Sequence, residues 1–295
     1  MKIGYPCINR SIGCTSNTTF RLASYSEDLL KEKVSANLAC LKKILSYNAG
    51  NGLLFFRISS DVVPFASHPV CTVDWRKHFR KQFAEIGRFI RSKNMRISMH
   101  PDQFILLNSP KKDVVSRSIS ELEYHCRVLD LMGLDTSAKI QIHVGGVYNE
   151  REQAVKRFED CYHSLSRCIS RRLVIENDER LFSLRDCLSI SRRTGVPVLF
   201  DSFHHECLNN GETPQQAIRS AQQTWKEKDG NLMVDYSSQQ KGKRMGKHTE
   251  HIDSRHFREF IRKTKGIDFD IMLEIKDKEK SALKALGILR EMKRI

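Results

Sequence analysis

The chain has no C-x-x-C pair, no glycine-rich phosphate fingerprint, no long apolar run and no linker rich in proline, glycine or serine. Each absence removes a class of protein. The 9 cysteines are odd in number and scattered, which excludes zinc-finger spacing and argues against a disulfide framework; most are expected to be reduced thiols in or near the core. No stretch approaches the ~18 apolar residues of a membrane span. The opening MKIGYPCINR lacks the apolar core of a signal peptide, so a cytosolic location is expected. Without G-x-G-x-x-G after the first strand, an open doubly wound nucleotide-binding sheet is the weaker fold reading. Without a linker, the 295 residues read as one domain, 1–295. Acidic residues are also scarce: 35 Asp and Glu against 50 Lys and Arg leave a formal charge of +15. That excess points to a polyanionic partner, with nucleic acid ahead of a membrane because no basic amphipathic anchor or lipidation signal is present.

What the chain does have is a series of short apolar runs that end on a residue able to bind a metal. ISMH ends at His100, IQIH at His143, LVIE at Glu176, VLFD at Asp201, LMVD at Asp235 and IMLE at Glu274. Runs of this length bounded by polar segments are candidate buried strands. A ligand at the carboxyl end of each gathers all six at one end of a sheet, where α/β proteins build their sites.

Two further runs, KIGYPC and LLFFRI, precede them. The pattern between runs predicts helices over 26–46, 75–92, 113–132, 150–169, 183–193 and 253–263, with another opening at Thr213–Pro214 and a last one at the C-terminus. Ser183 with Asp186 matches a capping box, and Thr213–Pro214 an N-cap followed by proline in the first turn. Eight β-then-α units of continuous apolar strands predict an α/β fold, a single (β/α)8 TIM barrel.

Imidazole and carboxylate donors together suit Mn, Zn, Fe or Co. His204 and His248 join the six strand endings, so seven or eight ligands are available, more than one ion needs. Two or three divalent ions are expected, with carboxylates such as Glu176 and Glu274 shared between them, as in sites that cleave phosphoesters. Taken singly, a His at a strand end is usually an ordinary polar residue and an Asp or Glu there a helix cap. The set together makes the metal centre. His205 and His251 are weaker neighbours, and the remaining histidines, among them His68 and His125, read as surface or core residues.

At these residues the chain resembles the UV damage endonuclease family, one of the metal-dependent barrels similar to xylose isomerase and endonuclease IV. The matching segments are GYPCIN from Gly4, SMHPDQF from Ser98, IHVGG from Ile142, IEND from Ile175, FDSFHH from Phe200, VDYSS, HTEHID and MLEIKDKE, which ends at Glu279. They run in order over nearly the whole chain. The resemblance implies a (β/α)8 barrel with up to three divalent ions, Mn2+ favoured and Zn2+, Co2+ or Mg2+ as alternatives. The implied ligands are His100, His143, Glu176, Asp201, His204, Asp235, His248 and Glu274, with Glu176, Glu274 and His143 central to catalysis. It implies nicking of double-stranded DNA immediately 5′ to cyclobutane pyrimidine dimers, (6-4) photoproducts and, often, abasic sites, with no membrane and no obligate protein partner. The chain departs from the family in its seventh strand, where a Lys and, two residues on, a ligating His are common: Met233 and Asp235 stand there. It departs again at Phe104, where Tyr is common.

Gln103 and Phe104 follow the third strand. An amide beside an aromatic ring suits insertion into a duplex, the ring replacing lost stacking and the amide meeting orphaned base edges; the competing reading is a Phe turned into the core. Tyr5 and Asn9 either touch DNA, order the site or form an ordinary strand-end turn. Lys241, Lys243, Arg244 and Lys247 precede His248 and read as phosphate contacts or as a solvated charge run. The alternatives to an endonuclease are a sugar isomerase or epimerase of the same barrel superfamily, and a binder of damaged DNA.

Overall fold

Each of the eight apolar runs forms a short strand, and the strands close on themselves in chain order. A computed structural model of the protein describes residues 1–102 and 104–295. The strands are β1 (Ile3–Pro6), β2 (Phe55–Ile58), β3 (Arg96–Met99), β4 (Lys139–His143), β5 (Leu173–Glu176), β6 (Val198–Asp201), β7 (Met233–Tyr236) and β8 (Asp270–Leu273). All pair in parallel, and β1 pairs with β8 to complete the barrel. A helix follows every strand: α1 (Glu27–Asn51), α2 (Arg80–Ser92), α3 (Lys112–Leu131), α4 (Arg151–Ser164), α5 (Leu184–Thr194), α6 (Pro214–Gln222), α7 (Ser254–Lys263) and α8 (Glu279–Glu291). The expected TIM barrel is therefore the fold. No described helix is long and apolar enough to cross a membrane.

Local chemistry sets the helix ends. Ser26 accepts from the Leu29 amide at the start of α1, and Gly52 closes that helix at φ 76°, a left-handed conformation that glycine adopts without steric cost. Both expected caps form as reciprocal boxes, Ser183 with Asp186 on α5 and Thr213 with Gln216 on α6. Two helices differ from expectation. The segment 75–92 breaks at Phe79, whose backbone leaves helical geometry (φ −101°, ψ 12°) as its ring enters the core. The segment 150–169 breaks at Leu165, extended at ψ 143°, with a further turn over Arg167–Ser170.

Side chains alternate between the two faces of each strand. Phe56, Ile97, Ile140, Ile142, Ile175, Phe200, Val234 and Ile271 point outward and belong to the main core under the helices. The inward set is layered. Phe55, Val174, Leu199, Met233 and Met272 form a separate apolar cluster inside the barrel. On its amino-terminal side Arg96 pairs with Asp270 at 2.8 Å and Lys139 with Asp229 at 2.5 Å, and Arg96 lies 5.4 Å from the Trp225 ring centroid. On its carboxyl side lie Arg57, His100, Gln141, His143, Glu176, Asp201, Asp235 and Glu274. This is a packed barrel interior with its polar site at the carboxyl ends of the strands.

Close strand packing explains the first motif glycine: a Cβ on Gly4 would sit 1.5 Å from the Phe55 carbonyl oxygen. The cysteines differ in part from expectation. Cys14 and Cys40 form a disulfide that ties the β1–α1 loop to α1, while the other seven are free thiols. The two lie 26 residues apart, and only the fold brings their side chains together.

Candidate metal centre

Strand parity brings the expected ligands together. His100, His143 and Glu176 present donor atoms within 4.8 Å of one another, and so do Asp201, Asp235 and Glu274. The imidazoles form an arc over these groups, with centroids 5.6 Å apart for His100 and His143, 5.9 Å for His143 and His204, and 6.0 Å for His204 and His248. All eight expected ligands thus line one end of the barrel.

The imidazoles are oriented for coordination. His100 holds its Nδ1 2.7 Å from the Pro101 carbonyl, His204 3.0 Å from that of Asn177, and His248 2.9 Å from that of Glu274. A backbone carbonyl can only accept, so Nδ1 carries the proton and donates, leaving the Nε2 lone pair for an ion. This is the usual support for a metal-bound histidine. His143 differs: its Nε2 is 2.8 Å from Glu176 Oε1, and its buried Nδ1 has no partner. Asp235 Oδ1 is buried and unpartnered as well. Buried polar atoms without partners are costly, and an N/O donor set with two such atoms fits a divalent ion.

A hydrogen-bonded pair that sequence reasoning missed runs through the centre. Arg57, on β2, donates from Nη2 to Asp235 Oδ2 at 2.6 Å and to Gln141 Oε1 at 2.7 Å, and from Nη1 to Glu274 Oε1. Gln141 in turn donates to Glu176 Oε2 at 2.6 Å and to Asp235 Oδ2 at 2.8 Å. The available signal was parity: Gln141 lies two residues before His143, and Arg57 two after the inward Phe55.

Electrostatics follow from packing four carboxylates around one guanidinium. Burial, reinforced by neighbouring carboxylates, raises Asp201 to about 6 and lifts Asp235 well above the carboxylate range despite Arg57. Burial also works against the charged form of Glu274, but Arg57 and His248 outweigh it and hold the group at about 2. Burial opposes charge on His143 and His204, yet Glu176 and Asp201 respectively prevail and bring each to about 9. The metal-free cluster therefore retains protons, which arriving cations would displace.

The remaining expected residues divide. Phe104 is 59% exposed, so it is not a core Phe. Gln103 lies outside the described residues. Tyr5 has no exposed surface; its hydroxyl donates to Asn48 Oδ1 at 2.6 Å and accepts from Asn9 Nδ2 at 2.8 Å. Asn9 is likewise buried, and its Oδ1 accepts from the Ser11 amide at 2.8 Å. Of the readings offered by the sequence for these two residues, this geometry supports ordering of the site: they brace the β1–α1 loop from within. Lys241, Lys243, Arg244 and Lys247 are all exposed. Their loop is shaped by Gln239, which donates to the Arg244 carbonyl at 2.9 Å and accepts from the Gly246 amide at 3.0 Å. His205 is buried and His251 pairs with Asp277 at 2.8 Å, so neither joins the arc.

Fold and site define a (β/α)8 barrel with a candidate multi-ion centre at the carboxyl ends of its strands. Several enzyme classes share that frame: endonuclease IV from Thermus thermophilus superposes with a TM-score of 0.58 at 14% identity over 86% of this chain and 95% of that one, and D-psicose 3-epimerase from Clostridium cellulolyticum with 0.56 at 14% over 85% and 92%. Likeness at that level speaks to the fold alone. The family model for the UV-endonuclease UvdE matches residues 1–295, and the chain belongs to that family of endonucleases. It is 40% identical over 294 residues to the UV DNA damage endonuclease of Clostridium perfringens, covering 99% of this chain and 71% of the relative. The crystal structure of SacUVDE superposes with a TM-score of 0.96 at 46% identity over the whole of both chains.

Proposed function

We propose that the chain nicks double-stranded DNA immediately 5′ to UV photoproducts in a reaction that depends on two or three divalent ions, Mn2+ foremost. The observation that carries this is the ligand cluster at the mouth of the barrel, in a chain matched end to end by UV endonucleases. Bound ions would supply a water of lowered pKa and neutralise charge on the phosphoryl and leaving oxygens. The chain's own groups do the rest. His100, His204 and His248 offer Nε2 with the tautomer fixed by carbonyls, while Glu176, Asp201, Asp235 and Glu274 offer carboxylate oxygens. Arg57 and Gln141 keep Asp235, Glu274 and Glu176 in register.

Phe104 stands exposed one residue past Gln103, at the edge of the same face. A ring there can stack where damaged bases leave the helix, and a distorted lesion lowers the unstacking cost. The cationic loop from Lys241 to Lys247 supplies phosphate contacts on the approach to His248.

The test is nicking of UV-irradiated and intact supercoiled plasmid with Mn2+, other divalent ions or EDTA. Cleavage of irradiated plasmid alone, abolished by EDTA, is expected. Equal cutting of both plasmids, or of neither, overturns the proposal. A sugar epimerase would show no steep salt dependence of DNA binding.

A further inference from the structure

Lys278 carries one inference beyond these roles, and it rests on the endonuclease reading above. It stands between β8 and α8, shortly past Glu274, with φ 57° and ψ −117°. The Asp277 carbonyl accepts from the Lys280 amide at 3.3 Å and closes the turn around it. These angles belong to the first central position of a type II′ turn, where glycine is the usual residue because a Cβ is strained there. The turn itself has a use. It places the buried Glu279 to accept from the Arg10 amide at 2.9 Å and from the Ser11 hydroxyl at 2.6 Å. Glycine would make the same turn without that cost, so the strain is kept for the lysine side chain.

That side chain is half-buried and has no hydrogen-bond or ion-pair partner among the described residues, whereas Lys276 nearby pairs with Glu250. Cys7, Glu274, Arg57 and Arg10 are the titratable groups that act on its amine. Cys7 lies just past β1, the strand beside β8, and is itself in a left-handed turn at φ 71°. The ion pairs of Glu274 go to Arg57 and His248, so the charge of Lys278 stays uncommitted at the rim of the ligand cluster. An unpaired ammonium held there against backbone preference fits an anion delivered by the substrate. We propose that Lys278 donates to a non-bridging oxygen of the phosphodiester that is cut, and so stabilises the charge that gathers there in the transition state.

Single-turnover nicking of irradiated duplex, run beside fluorescence anisotropy, elemental analysis and thermal melting, tests this. K278Q and K278G should slow nicking by about 100-fold, the loss typical of removing one donor from a transition-state oxygen. K278R keeps the charge and should recover at least about tenfold of that loss. Mn2+ content should match the wild type in all three. K278G should melt at or above the wild-type temperature, because glycine relieves the turn. Far-UV circular dichroism identifies any variant that does not fold; if K278Q is lost in that way, K278G and K278R decide the matter. Nicking by K278Q at close to the wild-type rate overturns the proposal. So does weaker DNA binding with an unchanged rate on saturating DNA, which would put the lysine on a neighbouring phosphate. Lowered Mn2+ content, or a K278G that melts below the wild type, would mean a structural role and overturn it too. A wild type that does not nick irradiated DNA sinks the endonuclease reading and this assignment with it, whereas an active wild type beside an equally active K278Q sinks the assignment alone.

Discussion

Arg57 and Asp235 meet inside the barrel at 2.6 Å, both out of reach of solvent. A buried pair of this kind adds little stability relative to an apolar replacement of both partners, but removing one partner leaves a charge with nowhere to go. The pair therefore serves the geometry of the site. It fixes one oxygen of Asp235, and Gln141 carries that order on to Glu176.

Glu176 faces His143 at 2.8 Å and His100 at 3.4 Å, so it is the hub of one ligand group. E176Q should lower nicking of irradiated DNA by about 100-fold or more, in line with losing a catalytic ligand's charge. Affinity for the same DNA should change little, because phosphate contacts dominate binding. Single-turnover cleavage and fluorescence anisotropy measure the two separately; parallel losses in both would contradict the assignment.

Phe104 is expected to report on damage recognition and not on metal. Replacing it with Ala removes a stacking surface, a loss of about 1–3 kcal/mol per base, while F104W keeps it. Competition between irradiated and intact duplexes should show F104A losing preference for the former. Its Mn2+ content by elemental analysis should match the wild type.

The loop cations give a salt test. If Lys243 and Arg244 contact phosphates, the slope of log affinity against log salt should fall by about 0.9 for each one neutralised. K243Q and R244Q with unchanged slopes would mean a solvated charge run.

Below the apolar layer, Lys139 and Asp229 pair at 2.5 Å with side chains 1% and 2% exposed. K139M orphans a buried carboxylate and should destabilise the fold by about 3–5 kcal/mol. Adding D229N should recover much of that. Urea titrations would show it, with nicking by the folded fraction unchanged in both variants.

His125 predicts an acid weakness. It is fully buried, and burial lowers it from 6.5 to about 4. Its proton affinity is thus lower in the folded state than in the unfolded chain. The associated stability is complete above pH 6.5, falls between 6.5 and 4, and amounts to about 3 kcal/mol. H125Q should flatten the stability–pH curve in that window; curves that remain parallel would remove His125 as the cause.

The barrel and its ligand end were legible because both depend on local pattern: apolar runs mark the strands, and the residue at each end follows from strand direction. Arg57 was hidden because a lone Arg in LLFFRI carries no mark of its direction until neighbouring strands fix parity. Tyr5 stayed open between DNA contact, ordering of the site and a strand-end turn, because the sequence does not show that Asn48, on α1, accepts from its hydroxyl. The Cys14–Cys40 bridge was equally invisible, since a spacing of 26 says nothing about which way two side chains point. Phe79 and Leu165 broke helices whose periodicity ran on without interruption, because core packing overrode propensity there.

The ring of Phe55, Val174, Leu199, Met233 and Met272 separates the Arg96–Asp270 and Lys139–Asp229 pairs from the ligand cluster. In effect it is an insulator between two circuits. Charges beneath it can be exchanged to alter thermal endurance, and charges above it to alter chemistry, with little crosstalk through a plate built from apolar side chains without a titratable group. Met233 belongs to that plate: at this position the chain extends the partition rather than the site.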